Sequence, residues 1–367
     1  MVKRVIAGAT VTAAAVAAMG AAGAPARAAA VRVVHPGESI QAAVDAAAPG
    51  DTVLVLPGTY RGSVRIGTPD LTLRGTGAGS TVLAPPTAGT DPHSAAGADQ
   101  PATAGAQTGA AACAAAGDGL CVTGASGVRV ESLAVTGFAK YGLWATAADR
   151  LTVDHVRADR NGQYGIGQEK SVRSRFTGNE ASGNGEAGLF VANTVSEEGG
   201  ATDTQGTEIR GNRLTGNHMG LVVRRLRDVT VDGNTMNGNC AGVFLVGDEN
   251  TPRAGEMTLT GNTVDANNAY CPATARLPYV QGAGVVLTGV ENTVLDGNEI
   301  NGNVGDSPLS GGVVLFPSFT GKPDSGNTVR NNTVLRNGPA DLADRDHGTG
   351  NTFTANTCQV SLPAGRC

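Results

Sequence analysis

Residues 229–246 read VTVDGNTMNGNCAGVFLV, and the arrangement inside them recurs down the chain. A short alternating piece, Val229-Thr-Val231, leads to Asn234 and Asn239, and Gly242 then opens an apolar run. The same glycine landmark stands at Gly119 (GLCVT), Gly142 (GLWAT), Gly165 (GIGQE), Gly188 (GLFVA), Gly220 (GLVVR), Gly284 (GVVLT) and Gly312 (GVVLF). Counted through Gly242, the spacings are 23, 23, 23, 32, 22, 42 and 28. Asparagine pairs keep step at 179/184, 212/217, 262/267, 298/303 and 332/337. A base period near 23, with insertions at some turns, is the mark of a solenoid.

Each period holds V/I/L-x-V/L pieces of about three to five residues, too short for helices and suited to strands. One turn of three such strands builds a parallel β-helix, with turns stacked about 4.8 Å apart. Asn and Gly then serve the tight corners, where left-handed or bridge conformations are needed. Stacked Asn amides also bond along the axis, which satisfies groups that would be costly to bury singly. Leu143, Ile166, Leu189, Leu221, Val243, Val285 and Val313 form the expected inward ladder.

An open solenoid exposes strand edges and core at its ends, so caps are expected. SIQAAVDAAA (39–48) is the one stretch with helical periodicity: Ser39 suits an N-cap, and Ile40, Ala43, Val44 and Ala47 share a face. Residues 85–116, rich in Pro, Ala and Gly, read as a low-complexity loop insertion. Residues 341–367 lose the repeat and are expected to close the C-terminal end.

The first residues have the form of a signal peptide, residues 1–28. Lys3 and Arg4 precede a small, apolar run, and Ala26-Arg27-Ala28 fits a cleavage motif. The remaining chain, 31–367, is one domain. No other stretch is long and apolar enough to cross a bilayer. The full chain carries a net charge of −5, and removing the leader makes it more acidic. That charge and the absence of a basic stripe argue against nucleic acid and anionic lipid. Six cysteines in an exported chain imply disulfides. Their near-neighbour spacing favours Cys113–Cys121, Cys240–Cys271 and Cys358–Cys367.

The stretch SIQAAVDAAAPGDTVLVLPGTY (39–60), followed by Asn/Gly-rich coils, resembles the right-handed parallel β-helix family of the pectate-lyase-like superfamily. More narrowly it resembles secreted actinobacterial β-helix-repeat proteins. The expected fold is all-β: a single-stranded right-handed parallel β-helix solenoid with a short N-terminal capping helix. The superfamily holds polysaccharide lyases, glycoside hydrolases, uronate epimerases and non-catalytic members, so the resemblance specifies fold more than activity.

Alternation after each glycine defines two outward columns. The first runs Cys121, Trp144, Gly167, Phe190, Val222, Phe244, Val286, Val314; the second runs Thr123, Thr146, Glu169, Ala192, Arg224, Val246, Thr288, Phe316. Aromatic residues on an outer sheet face call for a cover or a ligand. Insertions at 193–206, 247–256 and 317–326 follow the strand, and those at 270–282 and 304–310 precede it, so loops flank a groove. Gly167 leaves a notch between Trp144 and Phe190. The functional reading places a sugar on Trp144, with Tyr141, Tyr164, Phe190 and Phe244 as further substrate-binding residues. Arg224, Lys170 and Glu169 are the candidate catalytic groups. A basic side chain would remove the proton α to a uronate carboxyl, and Arg or a cation would stabilise the enolate-like intermediate. The alternative is solvated charges and aromatics covered by loops.

Other signals are weaker. Asp91-Pro92-His93 matches the D-P-H core of mannuronan epimerases without the family's aromatic–Gly context, and sits in the 85–116 segment. His155 and His218 fall at corners. Asp341, Asp344, Asp346 and His347 form an acidic loop, read as solvated charge. No metal ligands are assigned; Ca²⁺ is a possible cofactor by resemblance, although the outward face carries only Glu169. The expectation is a secreted, monomeric protein whose partner is an extracellular polysaccharide, uronate-containing polymers among the candidates, bound or processed by lyase- or epimerase-like chemistry. The alternative is a non-catalytic structural or cell-surface solenoid.

Overall fold

The computed structural model describes Met1 and residues 27–87, 109–275 and 277–367. The leader, apart from its two ends, and Asp91-Pro92-His93 lie outside these residues. The strands form three parallel sheets of twelve, eleven and ten strands, and each strand pairs with its equivalents one turn before and after. The inward ladder is in register along the eleven-stranded sheet: Leu120, Leu143, Ile166, Leu189, Leu221, Val243, Val285, Val313 and Leu342. All are buried. Each β-branched or leucine side chain in that column covers the one below, so the core is a continuous rod of apolar surface removed from water.

The Gly–Asn dipeptides divide two tasks that the sequence reading gave to both residues. Glycine takes the left-handed turn: Gly233 has φ 63° and Gly238 has φ 67°. The asparagine after it turns its amide into the coil. Asn234 donates its backbone N–H and its Nδ2 to Asn262 Oδ1, both at 3.0 Å, and Nδ2 also reaches Ile209 O at 2.8 Å. One ladder runs Asn179, Asn212, Asn234, Asn262, Asn298, Asn332, Asn356. A second runs Asn161, Asn184, Asn217, Asn239, Asn267, Asn303, Asn337. The strand-opening glycines have a different cause. A Cβ on Gly242 would lie 2.3 Å from Val264 Cγ1 and 2.9 Å from Gly284 O, so the neighbouring turn leaves no room for a side chain.

Near the start, the helix Ile40–Asp45 is capped by Ser39, whose Oγ accepts from Ala42 N at 3.2 Å. Ile40 and Val44 point into the core. Two expectations need correction. Most of the expected 85–116 loop lies outside the described residues, but within its described end Ala110–Ala115 is a helix; alanine is the best helix former, and Cys113 pins the turn to Cys121. Beyond residue 341 the coil continues. Leu342–Asp344, Thr352–Thr354 and Ser361–Leu362 add strands to two of the sheets. All three disulfides pair as expected: Cys113–Cys121, Cys240–Cys271 and Cys358–Cys367. Among the described residues no helix is long and apolar enough to cross a membrane.

Candidate functional site

The outer face of the eleven-stranded sheet carries both predicted columns in register. Its aromatic residues, however, form a second buried layer rather than an open platform. Trp144 is 8 % exposed, and Tyr141, Tyr164, Phe190 and Phe244 are buried with it. Tyr141 stacks on Trp144 at 4.4 Å and on Tyr164 at 5.0 Å, and Tyr164 stacks on Phe190 at 4.2 Å. Phe244 packs further along, in the same layer as Val280 and Leu309 of the flanking insertions. The Gly167 notch is filled: a Cβ there would stand 2.6 Å from Trp144 Cζ3. The ring faces that would hold a sugar are thus used by one another. The indole Nε1 donates to Thr146 Oγ1 at 3.1 Å.

The three candidate catalytic charges converge on one loop. Glu169 Oε2 accepts from Val195 N at 2.9 Å, and Arg224 donates to Thr194 O at 3.1 Å and Val195 O at 3.3 Å. Lys170 pairs with Glu197 at 3.2 Å. Beside them, the buried Arg225 pairs with Asp248 and Glu198. The side chains strap the 193–200 segment to the sheet, a role that backbone carbonyls and N–H groups fill well because they are obligatory bonding groups.

A second charged set lies along the opposite margin, one and two residues before each strand-opening glycine. Asp118 precedes Gly119 as Tyr141 precedes Gly142 and Tyr164 precedes Gly165. One residue earlier stand Lys140, Gln163, Glu186 and His218, on turns joined by backbone bonds: Gln163 N to Lys140 O, Glu186 N to Gln163 O and Met219 N to Glu186 O, each at 2.8 Å, and Cys240 N to His218 O at 2.9 Å. Asp118 is buried; its Oδ1 accepts from Tyr141 N at 3.3 Å. Burial pushes its carboxyl up to about 6, opposed by Lys140 and by that N–H. Lys140 Nζ sits 4.3 Å from the Tyr141 ring centroid. Burial holds the Tyr141 and Tyr164 hydroxyls well above the ordinary phenol range; the Asp118 carboxylate adds to this at Tyr141, and the Glu186 carboxylate at Tyr164. The sequence reading missed Asp118, Lys140 and Glu186. Extending the columns two residues upstream of the glycine would have found them.

Among the described residues no group of three or more Asp, Glu, His or Cys side chains is arranged to hold a metal ion. With Glu169 taken up by Val195, the residues of this face do not fit a built-in Ca²⁺ site. In the acidic loop only His347 is exposed; Asp341, Asp344 and Asp346 are buried, Asp341 ending the second asparagine ladder by accepting from Asn337 N at 3.0 Å, Asp344 pairing with Arg366 at 2.8 Å and Asp346 accepting from Gly348 N at 2.9 Å. Cavities of about 380 and 370 Å³ lie at the two ends of the coil, lined by Asp344, His347 and Arg366 and by Glu38, Tyr60 and Arg61.

The three-sheet coil and its repeat now meet a family match. The model for the right-handed beta helix region fits residues 109–199 and 200–364. The chain belongs to the right-handed β-helix family. No curated protein sequence matches it. Among solved structures, this β-helix is similar to the A-module of the Azotobacter vinelandii mannuronan C-5 epimerase AlgE6: 19 % identity, TM-score 0.59, covering 86 % of this chain and 88 % of that one. The AlgE4 A-module gives 17 % identity, TM-score 0.55 and coverage of 86 % and 89 %. The enzymatically active domain of bacteriophage CBA120 tailspike protein 2 gives 11 % identity, TM-score 0.52 and coverage of 80 % and 39 %. At these identities the likeness is one of fold.

Proposed function

We propose that this β-helix is an exported, monomeric protein that binds an acidic polysaccharide along the outer margin of its eleven-stranded sheet. One observation carries the reading. Lys140, Gln163, Glu186 and His218 present one polar side chain per turn, in a straight line with a step of about 4.8 Å. A linear polymer with regularly spaced hydroxyl and carboxylate groups matches such a row. Lys140 supplies a cation for a uronate carboxylate. Asp118 and Tyr164 are buried beneath that row, so the margin itself supplies binding groups rather than an acid–base pair. The fold likeness to two mannuronan C-5 epimerase modules supports a polysaccharide ligand. A non-catalytic reading is favoured by a specific observation: Glu169, Lys170 and Arg224 are engaged with the 193–200 segment.

The test uses the purified protein and a panel of uronate polysaccharides, with and without Ca²⁺. Retention of at least one polymer is expected, and Lys140→Ala should weaken it about ten-fold, the loss of one charge-assisted hydrogen bond. Unsaturated products absorbing in the ultraviolet identify a lyase, and altered uronate configuration by NMR identifies an epimerase. Retention without either leaves the binding reading. A protein retained by no polymer is a structural solenoid, and the proposal fails. Lys140 is a cleaner probe than Trp144, whose removal would open the buried aromatic layer.

A further inference from the structure

An aromatic pair, one ring exposed and one half-buried, stands away from the layer around Trp144. Tyr270 is 63 % exposed, and its ring lies 5.8 Å from that of Tyr279, inclined by 30°. Both belong to the insertion that precedes the strand Ala283–Thr288. That insertion is held rigidly. Cys271 is joined to Cys240, and Cys271 and Val280 exchange backbone hydrogen bonds of 2.9 Å in each direction. The Tyr279 hydroxyl donates to Asp306 O at 2.8 Å and lies 3.3 Å from Asp306 Oδ1. Ser307 and Ser310 hydroxyls donate to Gln281 O at 3.1 and 2.7 Å, so the 304–310 insertion supports the hairpin from behind. Exposed Val304 lies beside it, its backbone N–H bonded to Asn268 Oδ1 at 2.6 Å.

Tyr279 ties the hairpin to Asp306, but folding alone gives no reason to keep the Tyr270 ring in water beside it on a frame this firmly fixed. Recognition does. Tyrosine offers a large amphipathic contact with little conformational freedom to lose, and a pre-ordered platform lowers the entropy lost on binding. A pyranose ring presents a face of C–H bonds edged by hydroxyls. Its face suits the Tyr270 ring, and its hydroxyls suit the Asp306 carboxylate. Position adds a second argument. Cys240, which anchors the hairpin, occupies the same column as Lys140, Gln163, Glu186 and His218. A straight chain following that margin from Lys140 reaches the tyrosines after five turns, about 24 Å.

We propose that Tyr270 and Tyr279 form a distal subsite that stacks a pyranose ring of the same polysaccharide chain that runs along the Lys140–His218 margin. This inference rests on the polysaccharide-binding reading given above. The two tyrosines act as a second point of attachment, so they strengthen binding of long chains and leave short ones untouched.

The experiment compares the full chain with its Tyr270→Ala, Tyr270→Trp and Lys140→Ala variants. The probes are polymannuronate and polygalacturonate, each as long chains and as trisaccharides, with binding measured by calorimetry. Tyr270→Ala is expected to weaken long-chain binding about ten-fold or more. It should leave trisaccharide binding at the wild-type value, and Tyr270→Trp should restore the long-chain affinity. Because Tyr270 is exposed, the circular dichroism and melting temperature of each variant should match the wild type. If Tyr270→Ala binds long chains as the wild type does while Lys140→Ala loses affinity for both lengths, the distal subsite is refuted and the margin stands. If the wild-type protein binds neither polymer at either length, both the subsite and the reading it rests on are overturned.

Discussion

Replacing Asn234 by leucine should destabilise the β-helix by about 3–6 kcal/mol, since two or three buried groups lose their partners at roughly 1–3 kcal/mol each. Asn234 is fully buried, and its amide serves three turns at once. Its Oδ1 accepts from Asn212 N at 2.9 Å and Asn212 Nδ2 at 2.8 Å, while its Nδ2 donates to Ile209 O and Asn262 Oδ1. Leucine leaves the Asn212 N–H and the Ile209 carbonyl unpaired in a dry interior. Asn234→Asp should be nearly as damaging for a different reason: its second oxygen would face Ile209 O and Asn262 Oδ1, two acceptors, with no donor between them. The chain itself makes this distinction. Where the second ladder ends, the residue is Asp341, whose Oδ2 accepts from Gln359 N at 2.9 Å and Val360 N at 3.1 Å. An acceptor-only side chain is right there, and Asp341→Asn should also destabilise. Denaturant midpoints of the three variants check the size of the effect. Hydrogen exchange checks its place, because a solenoid is stabilised turn by turn: protection should fall around residues 209–262 and hold near residue 130. Wild-type midpoints for Asn234→Leu would remove the ladder from the account of stability.

The ladder was legible because a fixed period fixes register. Once the glycines and asparagines align, every residue of the turn is assigned a height and a side, and the inward column from Leu143 to Val313 follows. What the period does not report is a second layer. It places Trp144 and Phe190 outside the bore, yet whether they meet water depends on Tyr141 and Tyr164 at the preceding corner, whose rings stack against them. Isolated charges suffer the same limit. Glu169 and Arg224 are two turns apart in the column, and only the path of residues 194–195 between them shows that they share a structural task. Tyr270 and Tyr279 lie in an insertion, where the repeat assigns no register at all. The Ala110–Ala115 helix was hidden by composition, since alanine-rich sequence reads as low complexity and as helix alike.

Asp324→Asn should stabilise the protein at alkaline pH, with a gain that grows between pH 5 and pH 9. Asp324 lies in the interior near the C-terminal end, with Oδ1 accepting from Val290 N at 2.8 Å. Its Oδ2 makes no hydrogen bond, and the Asp346 carboxylate lies close by, accepting from the Asp324 backbone N–H. Burial, reinforced by Asp346, pushes the carboxyl up to about 9. The sign follows from linkage. Below about pH 4 the group is protonated in both folded and unfolded chains and has no effect on the balance. Between there and pH 9 the unfolded chain ionises while the folded one keeps its proton, so wild-type stability falls as pH rises, by at most about 1.4 kcal/mol per unit. Asp118, raised to about 6, adds a shorter decline of the same sign. Asp51 acts in the opposite direction. Backbone N–H groups of Ala30 and Ala48 hold its carboxyl below the ordinary range, so its contribution is present above about pH 4 and is lost on acidification. Asparagine at 324 keeps the acceptor for Val290, offers a donor to Asp346, and does not titrate. Denaturant midpoints of wild type and variant should therefore converge at pH 4 and separate steadily toward pH 9. Parallel curves would mean that Asp324 ionises in the folded protein without penalty, and would overturn the raised carboxyl assigned to it.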